Sequence, residues 1–116
     1  FANTDMVGHT GNLPAAIRAV EVVDECLGVI TDAAATRGGT VLITSDHGNA
    51  EQMEDNISRD SHTAHTTNKV PFVVIGKDDL SVVDGKLSDI APTILHIMGS
   101  SIPEEMTGTV LVNKLA

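Results

Sequence analysis

The sequence contains no tryptophan and no tyrosine, and its only aromatic rings besides histidine are Phe1 and Phe72 among 116 residues. Positive charge is scarce too: seven Lys and Arg stand against sixteen Asp and Glu, a formal net charge of −9. Few bases and few stacking rings make a poor nucleic-acid surface, so no nucleic-acid partner is expected. The same shortage leaves little to grip an anionic metabolite. If the substrate is a phosphate ester, its charge must be met by metal ions, or by Arg and Lys from elsewhere. The single cysteine, Cys26, excludes an internal disulfide framework and fits a reducing compartment. No apolar run approaches the ~20 residues of a membrane helix; the longest, such as Val70–Ile75, are strand-sized, and no membrane partner is expected. No basic segment followed by an apolar one opens the chain, and Phe1-Ala2-Asn3 reads as mid-protein sequence. A cytoplasmic location is the expectation.

What is present is ordinary for one globular domain: 41% hydrophobic and 20% charged residues. From Leu13 to Thr36, apolar residues fall at Leu13, Ile17, Val20, Val23, Leu27, Ile30 and Ala34, a spacing that predicts one face of a long helix. Asn12 is placed to cap it, Pro14 suits its first turn, and Gly38-Gly39 supplies the stop. Thr40–Thr44 follows as a β-branched strand, apolar on both faces, the pattern of a parallel strand covered by helices on both sides. The polar segment 45–69 has no periodicity and reads as a long functional loop. A strand from Val70 to Ile75, a helix from Ser88 or Asp89 to Met98, and a short strand within Met106–Leu115 complete the expected elements. Strand–helix alternation predicts an α/β fold, mainly parallel, with too few strands for a whole sheet. An incomplete sheet exposes an edge and an apolar face, so self-association of the chain is expected.

Three clusters carry candidate chemistry. Asp5 and His9 are four apart, on one face if the segment is helical, although Gly8 and Gly11 favour an irregular turn. Asp46-His47-Gly48-Asn49 directly follows a predicted strand, where open α/β sheets bind ligands. His62 and His65 precede the next strand among hydroxyl side chains. Each cluster alone is also compatible with ordinary loop and capping chemistry. Together they hold four of the five histidines, two of the clusters pairing His with Asp. Carboxylate and imidazole suit Mn²⁺, Zn²⁺ or Fe²⁺ better than Ca²⁺. Two Asp with three or four His exceed one closed tetrahedral site, and a pair of ions is the natural alternative. Other residues are read as structural: Cys26 as a buried thiol, His96 as a half-buried packing residue, Met53, Met98 and Met106 as core, Asp89 as a helix cap, and Ser45 as a strand-end residue rather than a nucleophile.

The runs Asn3–Gly11, Thr44–Glu51, His62–Asn68, Leu87–Thr93 and Glu105–Gly108 resemble, in order, the cofactor-independent phosphoglycerate mutases of the alkaline phosphatase superfamily. The resemblance implies a partial alkaline-phosphatase-like sheet, with residues 1–116 forming the C-terminal part of the metal-binding phosphatase domain. It also implies a two-metal site, most often Mn²⁺ with Zn²⁺, Co²⁺ or Mg²⁺ as alternatives, and interconversion of 3- and 2-phosphoglycerate in glycolysis through a phosphoserine intermediate. By motif, Asp5, His9 and His65 would hold one ion, and Asp46 and His47 would share the other with an Asp and the nucleophilic Ser of the family's N-terminal part. That part would also bring the cations that grip the phosphoglycerate substrate, so this chain alone is expected to be inactive. His62 has no assigned role, and Lys69 stands where the family pattern leads one to expect Pro. A phosphatase or phosphopentomutase of the same superfamily, or a non-catalytic metal-binding module, are the alternatives.

Overall fold

A computed structural model describes residues 1–115. Four helical and four strand segments follow one another as α1 (Asn3–Gly8), α2 (Leu13–Ala35), β1 (Val41–Thr44), β2 (Phe72–Ile75), β3 (Leu80–Val82), a 3-10 turn (Leu87–Asp89), α3 (Ile90–Ile97) and β4 (Val112–Lys114). The predicted long helix is α2. The Asn12 side chain caps it by accepting the Ala15 N–H at 3.1 Å. Gly38, at φ +63°, turns the chain away, and the Gly39 N–H closes on the Ala34 carbonyl at 2.9 Å. Gly99, at φ +70°, ends α3 in the same way.

The face that α2 buries is not the one its large residues mark. Ala16 and Ala19 are buried, while Ile17, Val20 and Ile30 are exposed. The reason is α1, a short helix that packs on α2 and donates from the Asn3 amide to the Ala19 carbonyl. Small side chains permit that close approach. The segment around Asp5 is thus a regular helix rather than the irregular turn that its glycines suggest.

Sheet direction also departs from expectation. β1 pairs with β2 in antiparallel register, Val41 opposite Ile75 and Thr44 opposite Phe72, and β3 pairs antiparallel with β4. A parallel neighbour needs a crossover, usually a helix. The segment joining β1 to β2 contains no helix, so the chain returns as an antiparallel strand. Val41, Leu42 and Ile43 are half-buried rather than sandwiched, and an open groove of about 420 Å³ lies between them and Val23, Leu27 and Ile30 of α2.

The best-packed region lies around α3 and β4, where Pro92, Thr93, Leu111 and Val112 are buried. Asp89 is buried there as well, and its carboxylate is not a cap of α3. It accepts the Lys86 N–H, the Lys86 ammonium and the Thr109 N–H at 2.7–2.9 Å. Met53 is core, as expected, but Met98 and Met106 are exposed. Cys26 is half-buried and His96 exposed. None of the described helices is long and apolar enough to cross a membrane.

Candidate metal centre

Antiparallel pairing is what assembles the site. With Thr44 opposite Phe72, the segment leaving β1 runs beside the segment entering β2. A further bridge between Gly48 and Thr66, with the Thr66 N–H on the Gly48 carbonyl at 2.8 Å, prolongs that contact into the loops. His47 and His65 therefore meet, their rings stacked with centroids 3.7 Å apart. The third wall is α1, whose helical turn presents Asp5 and His9 together. Its last residue, Gly8, is buried against Asn49, and a Cβ there would overlap the Asn49 side-chain oxygen.

The side chains converge on one carboxylate oxygen. Asp5 Oδ1 lies 3.2 Å from His65 Nε2, 3.4 Å from His9 Nε2 and 4.0 Å from His47 Nε2. It is buried and forms no hydrogen bond with any of them. The His9 Nδ1 contacts the Thr63 carbonyl at 2.6 Å, and a carbonyl can only accept, so that nitrogen carries the proton. In the neutral ring Nε2 then presents a lone pair toward Asp5. A cation between that lone pair and the Asp5 oxygen would satisfy both. Ligand atoms about 2.1 Å from a tetrahedral ion stand about 3.4 Å from one another, the spacing seen here between Asp5 and the two rings. The donor atoms of Asp5, His9 and His65 all lie within 4.8 Å of one another, and this is the group among the described residues that suits a metal ion.

Asp46 and His47 stand at the edge of this cluster. His47 Nε2 is 3.6 Å from Asp46 Oδ1, and the Asp46 side chain is 87% exposed. Two donors from this chain do not close a coordination sphere. His62 remains outside; its backbone N–H bonds the Met53 carbonyl and its buried Nδ1 has no partner. The Ser45 hydroxyl donates to the His47 carbonyl at 2.7 Å, a strand-end role as expected.

Sequence reasoning missed Glu51 as a feature of the site. Its carboxylate accepts the Asn49 N–H, the Thr66 hydroxyl and the Asn68 amide. Partial burial pushes the Glu51 carboxyl up, but the bonds from Thr66, Asn68 and the backbone outweigh it and hold it below the usual range. The only signal in the sequence was an acid among donors, which loops commonly contain. A cleft of about 550 Å³ opens beside His47 and Thr66. Its two lysines are both engaged, Lys69 with Asp84 at 2.8 Å and Lys86 with Asp89 at 2.7 Å.

The Metalloenzyme superfamily domain matches residues 1–102. The chain belongs to the metalloenzyme superfamily. Within it, the chain is 57% identical over 113 residues to a 2,3-bisphosphoglycerate-independent phosphoglycerate mutase of Shewanella sp. (strain ANA-3), and 56% identical over 112 residues to one of Shewanella amazonensis. Each match covers 97% of this chain and 22% of the relative, so the chain spans about a fifth of the length of these enzymes. A crystal structure of Leishmania mexicana phosphoglycerate mutase at low cobalt concentration superposes with a TM-score of 0.85 at 30% identity, covering 99% of this chain and 24% of that one. The α/β, alkaline-phosphatase-like architecture expected from the sequence motifs therefore holds, with its strands here paired antiparallel. Superfamily membership and the convergence on Asp5 both point to divalent metal.

Proposed function

We propose that this chain is the metal-holding, C-terminal part (residues 1–116) of the phosphatase domain of a 2,3-bisphosphoglycerate-independent phosphoglycerate mutase, which interconverts 3- and 2-phosphoglycerate in cytoplasmic glycolysis. The observation that carries the reading is the meeting of His9 and His65, from segments 56 residues apart, on one unpartnered oxygen of Asp5. Asp5, His9 and His65 would hold one divalent ion. Asp46 and His47 would contribute to a second, completed by residues of the remaining protein. Mn²⁺ is the proposed metal, with Zn²⁺, Co²⁺ and Mg²⁺ compatible with the same donors. Two such ions, when bound, would supply charge neutralisation and polarisation of the transferring phosphoryl group.

The chain's own residues have narrower tasks. Thr63, through its carbonyl, fixes the His9 tautomer and ring direction, as partners of metal-bound histidines commonly do. Asp5 gathers three rings around one charge. With both cleft lysines paired, the phosphate and carboxylate of the substrate would be gripped by cations of the remaining protein. The fragment alone would then lack mutase activity.

A segment exchange tests this. Residues 1–115 replace the corresponding segment of a Shewanella phosphoglycerate mutase, and conversion of 3-phosphoglycerate is followed with Mn²⁺ present. The chimera is expected to be active, and Asp5→Ala or His65→Ala within it to lower turnover at least about 100-fold, the upper end of what losing even a ligand's supporting partner costs. A folded chimera without activity, or full activity in Asp5→Ala, would reject the reading.

A further inference from the structure

Three separate stretches carry the five ligand candidates: α1, the loop after β1 and the loop before β2. Besides the Gly48–Thr66 backbone bridge and the His9 contact with the Thr63 carbonyl, a set of polar side chains that are not candidates themselves joins them. Glu51 lies at its centre. One carboxylate oxygen accepts the Asn49 N–H at 2.6 Å; the other accepts the Thr66 hydroxyl and, at 3.0 Å, the Asn68 amide. Asn68 also donates to Gln52 Oε1 at 3.0 Å. A single carboxylate thus bonds the His47-bearing loop and the His65-bearing loop at once. The bonded Asn49, 7% exposed, carries the connection onward to α1, where its side chain fills the space over Gly8. A Cβ on Gly48 would overlap both Thr66 and Glu51, so the backbone there has been brought as close as glycine permits.

We propose that Glu51, acting through Asn49 and the Thr66–Asn68 strand entry, is the positioning residue that sets the His47 and His65 loops against α1 and so fixes the ligand geometry of the metal centre. The inference rests on the reading of Asp5, His9 and His65 as ligands. Its chemistry requires a carboxylate. Three donors converge on Glu51, and only an acceptor with two free oxygens satisfies them. Glutamine has the same shape but turns an NH₂ donor toward one of these donors, so it cannot substitute.

The test is a titration of the chain with CoCl₂, read by visible absorption, for the unsubstituted protein, Glu51→Gln and Asn68→Ala. Far-UV circular dichroism and the metal-free thermal midpoint are recorded alongside. Glu51→Gln is expected to weaken Co²⁺ binding by about 10-fold or more and to shift the band positions at saturation, with helix content unchanged. A lowered metal-free midpoint with unaltered affinity and bands would mean that Glu51 only stabilises two loops, and would overturn the proposal. If Glu51→Gln fails to fold, Asn68→Ala decides, because it removes one of the three bonds: shifted bands support the proposal and unaltered bands overturn it. No Co²⁺ spectrum from the folded, unsubstituted chain would remove the ligand reading and the positioning role together.

Discussion

At Asp89 one carboxylate, 1% exposed, is bonded by three donors from two directions: Lys86, which starts the 3-10 turn, and Thr109, twenty residues later. The Lys86 ammonium foremost, with the Thr109 and Lys86 N–H groups, pulls its pKa down to about 2. The unfolded carboxyl titrates near ~3.9. Above that value both states are ionised and the full stabilisation is present. As pH falls, the unfolded chain takes up the proton first, so stability drains away between about 4 and about 2. Asp89→Asn is expected to lower stability at neutral pH and to flatten this acid limb, measured by urea unfolding from pH 6 to 2. An acid limb as steep as in the unsubstituted chain would show that other carboxylates govern it. The sequence suggested a helix cap at Asp89, because position before a helix is legible locally. Thr109 as a partner is not, since a tertiary bond leaves no local trace. Asp5, His9 and His65 each sit in a recognisable run, whereas the approach of both rings to one Asp5 oxygen is visible only in the structure.

Among the elements, α2 was the most readable, because seven apolar residues at helical spacing and a capping Asn12 agree with each other. Replacing that cap isolates its share. Asn12→Ala is expected to cost about 1 kcal/mol in a chemical denaturation midpoint, with metal affinity little changed, because the Ala15 N–H loses its acceptor. A loss below a few tenths would mean that water serves the helix end as well as the side chain. Strand direction was the least readable property. A β-branched run is apolar on both faces whether its neighbour is parallel or antiparallel, so Thr40–Thr44 carried no directional signal. The absence of any helical period between residues 45 and 69 was the available clue, since a parallel return needs a crossover. β3 escaped notice because three residues, Leu80-Ser81-Val82, have no period to detect and are defined by β4 opposite them.

Taken together, the described residues are more open than the length of this chain predicts. Its accessible surface is 7922 Å², against roughly 6000 Å² for a compact monomer of this mass. Its radius of gyration is 16.7 Å, where about 13 Å is typical. Ile17, Val20, Val29, Ile30, Val73, Val83 and Leu87 all stand exposed, apolar side chains that a second copy of the chain could cover. Self-association of the purified chain is therefore expected, and sedimentation velocity across a concentration series would show it; a single monomeric boundary at every concentration would refute it. One feature of this loose chain acts at long range. Asp5 and His65 are 60 positions apart in a sequence with a single cysteine. An ion shared by them would be a removable cross-link, closing a loop whose entropy, by analogy with a disulfide of that span, is about 4 kcal/mol. The chain would then be tied at a knot that a chelator can undo, and its rigidity would follow the free metal concentration of its surroundings.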